Sequence, residues 1–118
     1  MNSYKDLKVW QKSIDLVCNV YNLCAKLPSD EKYGISSQMK RSSVSIPSNI
    51  AEGFMRYHKA EYIQFLHISR SSSAELDTQL TICQRVFPDR EPKLVTQLLI
   101  DNAEIMMMLN GLIKSLKK

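Results

Sequence analysis

Apolar positions recur three and four residues apart through most of this chain, the spacing that gives an α-helix one oily face. The first stretch sets Leu7, Trp10, Ile14, Val17, Tyr21 and Cys24 on one stripe, with Leu16, Val20, Leu23 and Leu27 widening it. Leu27-Pro28 ends this helix, because the residue before a proline is driven out of the α region, and Ser29 or Asp30 can cap the next segment. A second helix is predicted from about Tyr33 to Arg56, since Met39, Ile46, Ile50 and Phe54 keep helical spacing straight through Pro47. A proline there removes one backbone N–H and crowds the carbonyl of Ser43. The expectation is a helix kinked at Pro47; the alternative is a break, with Asn49 and Glu52 capping a fresh helix. After the turn Tyr57-His58-Lys59, a third helix follows Tyr62, Phe65, Leu66, Ser69, Ser73, Leu76, Leu80 and Cys83 to about Val86. Ser69, Ser71, Ser72, Ser73 and Ala74 make its middle small, so that a neighbouring helix can come close near the proline. Pro88-Asp89-Arg90-Glu91-Pro92 breaks the chain again, with Asp89 or Glu91 as cap and Pro92 in the first turn of a fourth helix.

Four helices on short connections predict an all-α, antiparallel up-down-up-down four-helix bundle, a single domain over residues 1–118. Only three glycines and four prolines are available for turns, and 44% apolar content is enough for a real core. No run of about 18 apolar residues offers a membrane span, and Lys5, Asp6 and Lys8 leave no apolar signal-peptide core, so a cytoplasmic protein is expected. Cys18, Cys24 and Cys83 are odd in number and lack ligand spacing, which makes them small buried hydrophobes rather than bridges or metal ligands. On the fourth helix, residues from Leu94 to Leu116 make apolar about half the circumference, wider than one core requires. That excess predicts a homo-oligomer whose interface uses Leu99 and Met106 with Val9, Leu16, Val20 and Leu23 of the first helix.

The bundle layout turns a net charge of +4 into a polarity. The N-terminus, the turn between helices 2 and 3 and the C-terminus share one end, which gathers Lys5, Lys8, Lys12, Arg56, His58, Lys59, Lys114, Lys117 and Lys118 against Asp6 and Glu61. Such an end suits the phosphate backbone of RNA or DNA. Lysines late in helix 4 also complement its dipole, whereas Lys5 and Lys8 at the start of helix 1 oppose theirs. The other end, with Lys26, Lys32, Arg85, Arg90 and Lys93, is balanced by Asp30, Glu31, Asp89 and Glu91. Catalytic chemistry is not legible: three residues after Glu52, Glu61, Glu75 and Glu104 come Met55, Gln64, Thr78 and Met107, not the histidines of a di-metal bundle. His58 and His67 lie on opposed helix faces, and there is no glycine-rich phosphate loop, so no cofactor and no metal are expected. Arg41, Ser45, Asn49, Glu52 and Glu75 read as a structural polar network around the proline. Within it, Arg41 is set opposite Glu75 as a buried ion pair and Pro47 opposite Ser69.

The order Asp6-Leu7-Lys8-Val9-Trp10-Gln11-Lys12, Leu27-Pro28, Tyr33-Gly34, Gln38, Ser45-Ile46-Pro47-Ser48-Asn49-Ile50-Ala51-Glu52-Gly53 and Ser72 through Leu76 closely resembles the four-helix-bundle proteins encoded in intervening sequences of bacterial 23S ribosomal RNA genes. The likeness spans nearly the whole chain, although His58 stands where a Ser or Thr cap belongs. It implies a small, basic, cytoplasmic homo-oligomer, a pentameric ring, related to the accessory protein of diversity-generating retroelements, which binds nucleic acid and a reverse transcriptase. Two functions from different classes are compatible with it: a nucleic-acid-binding oligomer, or a scaffold docking a protein partner such as a polymerase while its lysines keep it soluble.

Overall fold

The computed structural model describes residues 2–31 and 34–118. Helices α1 (Lys8–Cys24), α2 (Ile35–Phe54), α3 (Lys59–Val86) and α4 (Pro92–Leu116) carry the fold, with 3-10 turns at Tyr4–Asp6 and Ser29–Glu31. Among the described residues there is no strand and no helix long and apolar enough to cross a membrane. The expected start of helix 2 at Tyr33, and Lys32, lie outside the described residues.

Boundaries fall where local chemistry puts them. Leu27-Pro28 closes the first hairpin after Lys26 N–H has turned back to the Leu23 carbonyl at 2.9 Å. His58 begins α3 with an extended backbone and no side-chain cap. Glu91 caps α4 from the left-handed region, φ 48° and ψ 53°, and Pro92 takes the first helical position, where a missing N–H costs nothing. α2 runs unbroken through Pro47, so Asn49 and Glu52 begin no new helix.

Each helix packs on two neighbours, α1 on α2 and α4, and α3 on α2 and α4. At about 1.5 Å per residue the 28 residues of α3 span about 42 Å, nearly the whole 45 Å length of the molecule, so the bundle is one helix long. Side-chain partners fix the register: Ser42 with Gln79, Ser45 with Ser72 and the Ile46 carbonyl with Ser69 pair rising numbers in α2 with falling numbers in α3. The residue that meets Ser69 is thus Ile46, one before the expected Pro47, which lines the α1 side of α2 instead.

The α2–α3 seam is tight because its residues are small. Ser42, Gly53, Ser69 and Ser72 are all buried there, while Ser71 and Ala74 face solvent. A Cβ on Gly53 would lie 2.7 Å from the Phe65 Cβ and 3.1 Å from the Tyr62 carbonyl oxygen, a separation only glycine permits. Every buried hydroxyl and amide among the described residues has a partner.

α1 is rotated from the expected orientation, although Leu7 and Cys24 of the predicted stripe are buried. Val9, Leu16, Val20 and Leu23 are buried in the core together with Ser13, so they cannot form a surface for another subunit. The stripe expected to be core faces outward in part: Trp10, Ile14 and Val17 are half-buried and Tyr21 is exposed. On α4, Leu99 and Met106 are also half-buried, and the most exposed apolar side chains are Ile100 at 56% and Met107 at 74%.

Candidate nucleic-acid interface

An aromatic cluster fastens the N-terminus to the α2–α3 turn. The Tyr4 ring meets Trp10 edge-on at 5.4 Å and Phe54 at 6.3 Å, and Phe54 meets Tyr62 at 5.9 Å. Ser3 accepts from the Lys5 N–H to hold the short turn that brings Tyr4 inward, and Gln11 donates to the Lys5 carbonyl at 2.8 Å. This cluster sets Lys5 and Lys8 near the turn that carries Arg56, His58 and Lys59. Leu116 packs against the core, which holds Lys117 on α4.

The nine basic-end residues do not stand alike. Lys12 is engaged by Glu104 on α4 at 2.9 Å, a hydrogen bond that raises its pKa, and Arg56 pairs with Glu52 at 2.7 Å while lying over the Phe65 ring. Lys5, Lys8, Lys59, Lys114, Lys117 and Lys118 are exposed, and among the described residues none has a carboxylate within ion-pair distance. His58 is exposed and packs edge-on against Tyr57, itself 95% exposed, so the turn presents an aromatic ring between two cations. Tyr57 was not singled out by periodicity, which reads faces of helices and passes over turns.

A second cationic group, on the α3–α4 face, has no counterpart among the residues that charge layout singled out. Arg70 is half-buried and sends one guanidinium nitrogen to the Asn110 side-chain oxygen at 2.9 Å and another to Nδ1 of His67 at 2.9 Å. His67-x-x-Arg70 is the one signal that sequence offers, since residues three apart share a helix face.

The polar network is smaller than expected. Asn49 donates to the Ser45 carbonyl at 2.8 Å and hydroxyl at 2.9 Å, and Ser72 donates to the Ser45 hydroxyl at 2.8 Å. Glu52 belongs instead to Arg56. Arg41 and Glu75 are exposed and form no ion pair: they flank an open groove of about 440 Å³ with Gln38, Ser42, Ser45 and Gln79. Their register is right and their burial is not, because serine hydroxyls fill the seam and leave no room for charge. Two buried pairs went unforeseen, Ser42 donating to Gln79 at 2.7 Å and Ser73 to Asn102 at 2.8 Å. Burial pushes the Cys24 and Cys83 thiols above their ordinary pKa, which keeps both protonated at neutral pH, whereas Cys18 is exposed, not buried as expected.

A further surface lies between α1 and α2. Tyr4, Trp10, Ile14, Val17, Val44, Pro47, Ser48 and Ala51 line an open, mostly apolar groove of about 290 Å³ beside the proline.

The sequence model of the 23S rRNA-intervening sequence proteins matches residues 5–111, from the first exposed lysine to the last turns of α4. The chain belongs to that family. A solved structure with the same fold, a Bacteroides thetaiotaomicron protein of unknown function from the S23 ribosomal protein family, is 27% identical with a TM-score of 0.81, covering 90% of this chain and 98% of the other. No curated protein matches the chain. The shared fold of this family member is thus a four-helix one, and the motif around Pro47 serves both the α2–α3 seam and the apolar groove.

Proposed function

We propose that this 23S rRNA-intervening sequence protein is a non-enzymatic homo-oligomer that binds RNA or DNA through the phosphate backbone. The observation that carries the reading is the set of exposed lysines without carboxylate partners, Lys5, Lys8, Lys59, Lys114, Lys117 and Lys118, around a turn that also presents Tyr57. Unpaired surface cations attract phosphates at long range and read no bases, while an exposed ring can stack on an unpaired one. Repeating the basic end around an oligomer multiplies weak contacts into a usable affinity. Binding to single-stranded RNA or duplex DNA should be measurable at about 50 mM salt and weaken steeply toward about 200 mM. No binding at the lower salt, or a flat salt response, rejects it.

The groove beside Pro47 supports the assembly half of the reading. Its apolar lining, together with the exposed Ile100 and Met107 on α4, gives the molecule separate apolar patches that subunits can pair in a closed assembly. Light scattering at micromolar concentration should give a mass well above 13.6 kDa. A protein partner such as a polymerase would use the same groove; pull-down with and without nuclease separates a partner held by nucleic acid from one held directly.

A further inference from the structure

Arg70, His67 and Asn110 form an arrangement that packing alone does not require. The guanidinium is held by a neutral amide oxygen and a ring nitrogen, both near 2.9 Å, and among the described residues no carboxylate lies within ion-pair distance. Its direction is fixed while its charge stays uncompensated, and part of its donor fork is free. Lys114 and Lys117 continue the same face of α4, four and seven residues beyond Asn110, so positive groups extend over about 10 Å of helix. One carboxylate would occupy a single place in that row; a chain of phosphates, repeating every few ångströms, can occupy all of it.

We propose that Arg70, His67, Lys114 and Lys117 form a phosphodiester-binding row on the α3–α4 face, with Asn110 orienting Arg70, a site that rests on the nucleic-acid reading above and adds a defined contact to it. The row carries its own pH response. His67 accepts from Arg70 at Nδ1, which leaves the proton of the neutral ring on Nε2. Partial burial first, then the charges of Arg70 on its own helix and Lys117 on α4, hold its pKa below the usual histidine value. A phosphate oxygen beside the ring offsets those charges and accepts from the imidazolium, which gives up the hydrogen bond from Arg70 and leaves the guanidinium to Asn110 and the phosphate; binding thus takes up a proton and strengthens as pH falls through the range below about 6.5. Without an anion the sign is opposite for folding: the depressed pKa contributes stability present above about 6.5 and lost as pH falls.

The test uses the full chain, inorganic phosphate, and short single-stranded RNA and duplex DNA of equal charge. Phosphate should raise the His67 pKa followed by ring NMR signals, and this rise should vanish in Arg70→Gln. Arg70→Gln and Lys117→Gln should each weaken RNA or DNA binding about tenfold or less and reduce the salt slope by about one, with thermal melting of Lys117→Gln unchanged. His67→Gln should lose the gain on acidification, its affinity staying flat between about pH 8 and about pH 5.5. If Arg70→Gln melts early while Lys117→Gln binds like the parent, Arg70 is a pin between helices and the row is rejected. If phosphate moves His67 but neither nucleic acid binds at low salt, the parent reading fails and the phosphodiester assignment fails with it. If nucleic acid binds with all three variants unimpaired, only the row is overturned.

Discussion

α2 has two flanks that begin from the same proline and end in opposite states. Toward α3 the side chains are serines and a glycine, the backbones meet closely, and each hydroxyl is answered, with Ser69 donating to the Ile46 carbonyl at 2.9 Å. Toward α1 the side chains are larger and more apolar, Trp10, Ile14, Val17 and Val44, yet an open groove remains. Apolar content therefore did not decide which flank closed; close approach and polar satisfaction did.

The largest effect should come from forcing the closed flank apart. Gly53→Val puts two branches where even a Cβ would meet Phe65 at 2.7 Å, and about 3 kcal/mol of unfolding free energy should be lost, read by urea titration. A loss under about 1 kcal/mol would mean the seam is looser than described. Next is the buried pair across α3 and α4, where Asn102 donates to the Ser73 carbonyl and accepts from its hydroxyl, both at 2.8 Å. Asn102→Ala should cost about 2 kcal/mol by the same measurement, and a neutral result would show that water replaces the amide. On the open flank the balance reverses. Ile14→Asp should change folding stability by only about 1 kcal/mol yet lower the assembly mass in light scattering; unaltered mass would remove the groove from the interface. Arg41→Ala and Glu75→Ala, on the rim of the α2–α3 groove, should each stay within about 0.5 kcal/mol and add without coupling. A coupling above about 1 kcal/mol would restore the ion pair that the exposed positions exclude.

Element type and extent were legible because helical spacing persists for several turns and Leu27-Pro28 and Pro88 to Pro92 punctuate it. The orientation of α1 was not. Leu7, Trp10, Ile14, Val17, Tyr21 and Cys24 form an unbroken stripe, whereas the true core stripe passes through Ser13, whose hydroxyl donates to the Trp10 carbonyl at 2.7 Å and so enters the core without an unmet bond. A polar residue satisfied by its own helix looks like surface in sequence. Gln79 and Asn102 were hidden for a different reason, since their partners Ser42 and Ser73 lie on neighbouring helices, and Arg41 and Glu75 seemed instead to be the polar groups that needed burying. Arg70 was not legible either, because its partner Asn110 lies 40 residues away on another helix.

The hydroxyl of Ser69 also bears on the order in which the molecule opens. Pro47 donates no amide hydrogen, so α2 is weakest as a ladder near Ser43, and Ser69 fastens the carbonyl just before the proline to another helix. The side-chain hydrogen bonds from α2 to α3, at Ser42, Ser45 and Ile46, thus all lie before the proline, and the turns after it are held to the first half of α3 by the close packing at Gly53. Amide exchange should follow that division, with Ile50, Ala51 and Glu52 protected together with Leu66 and Arg70, and the turn after Gly34 exchanging earlier on its own.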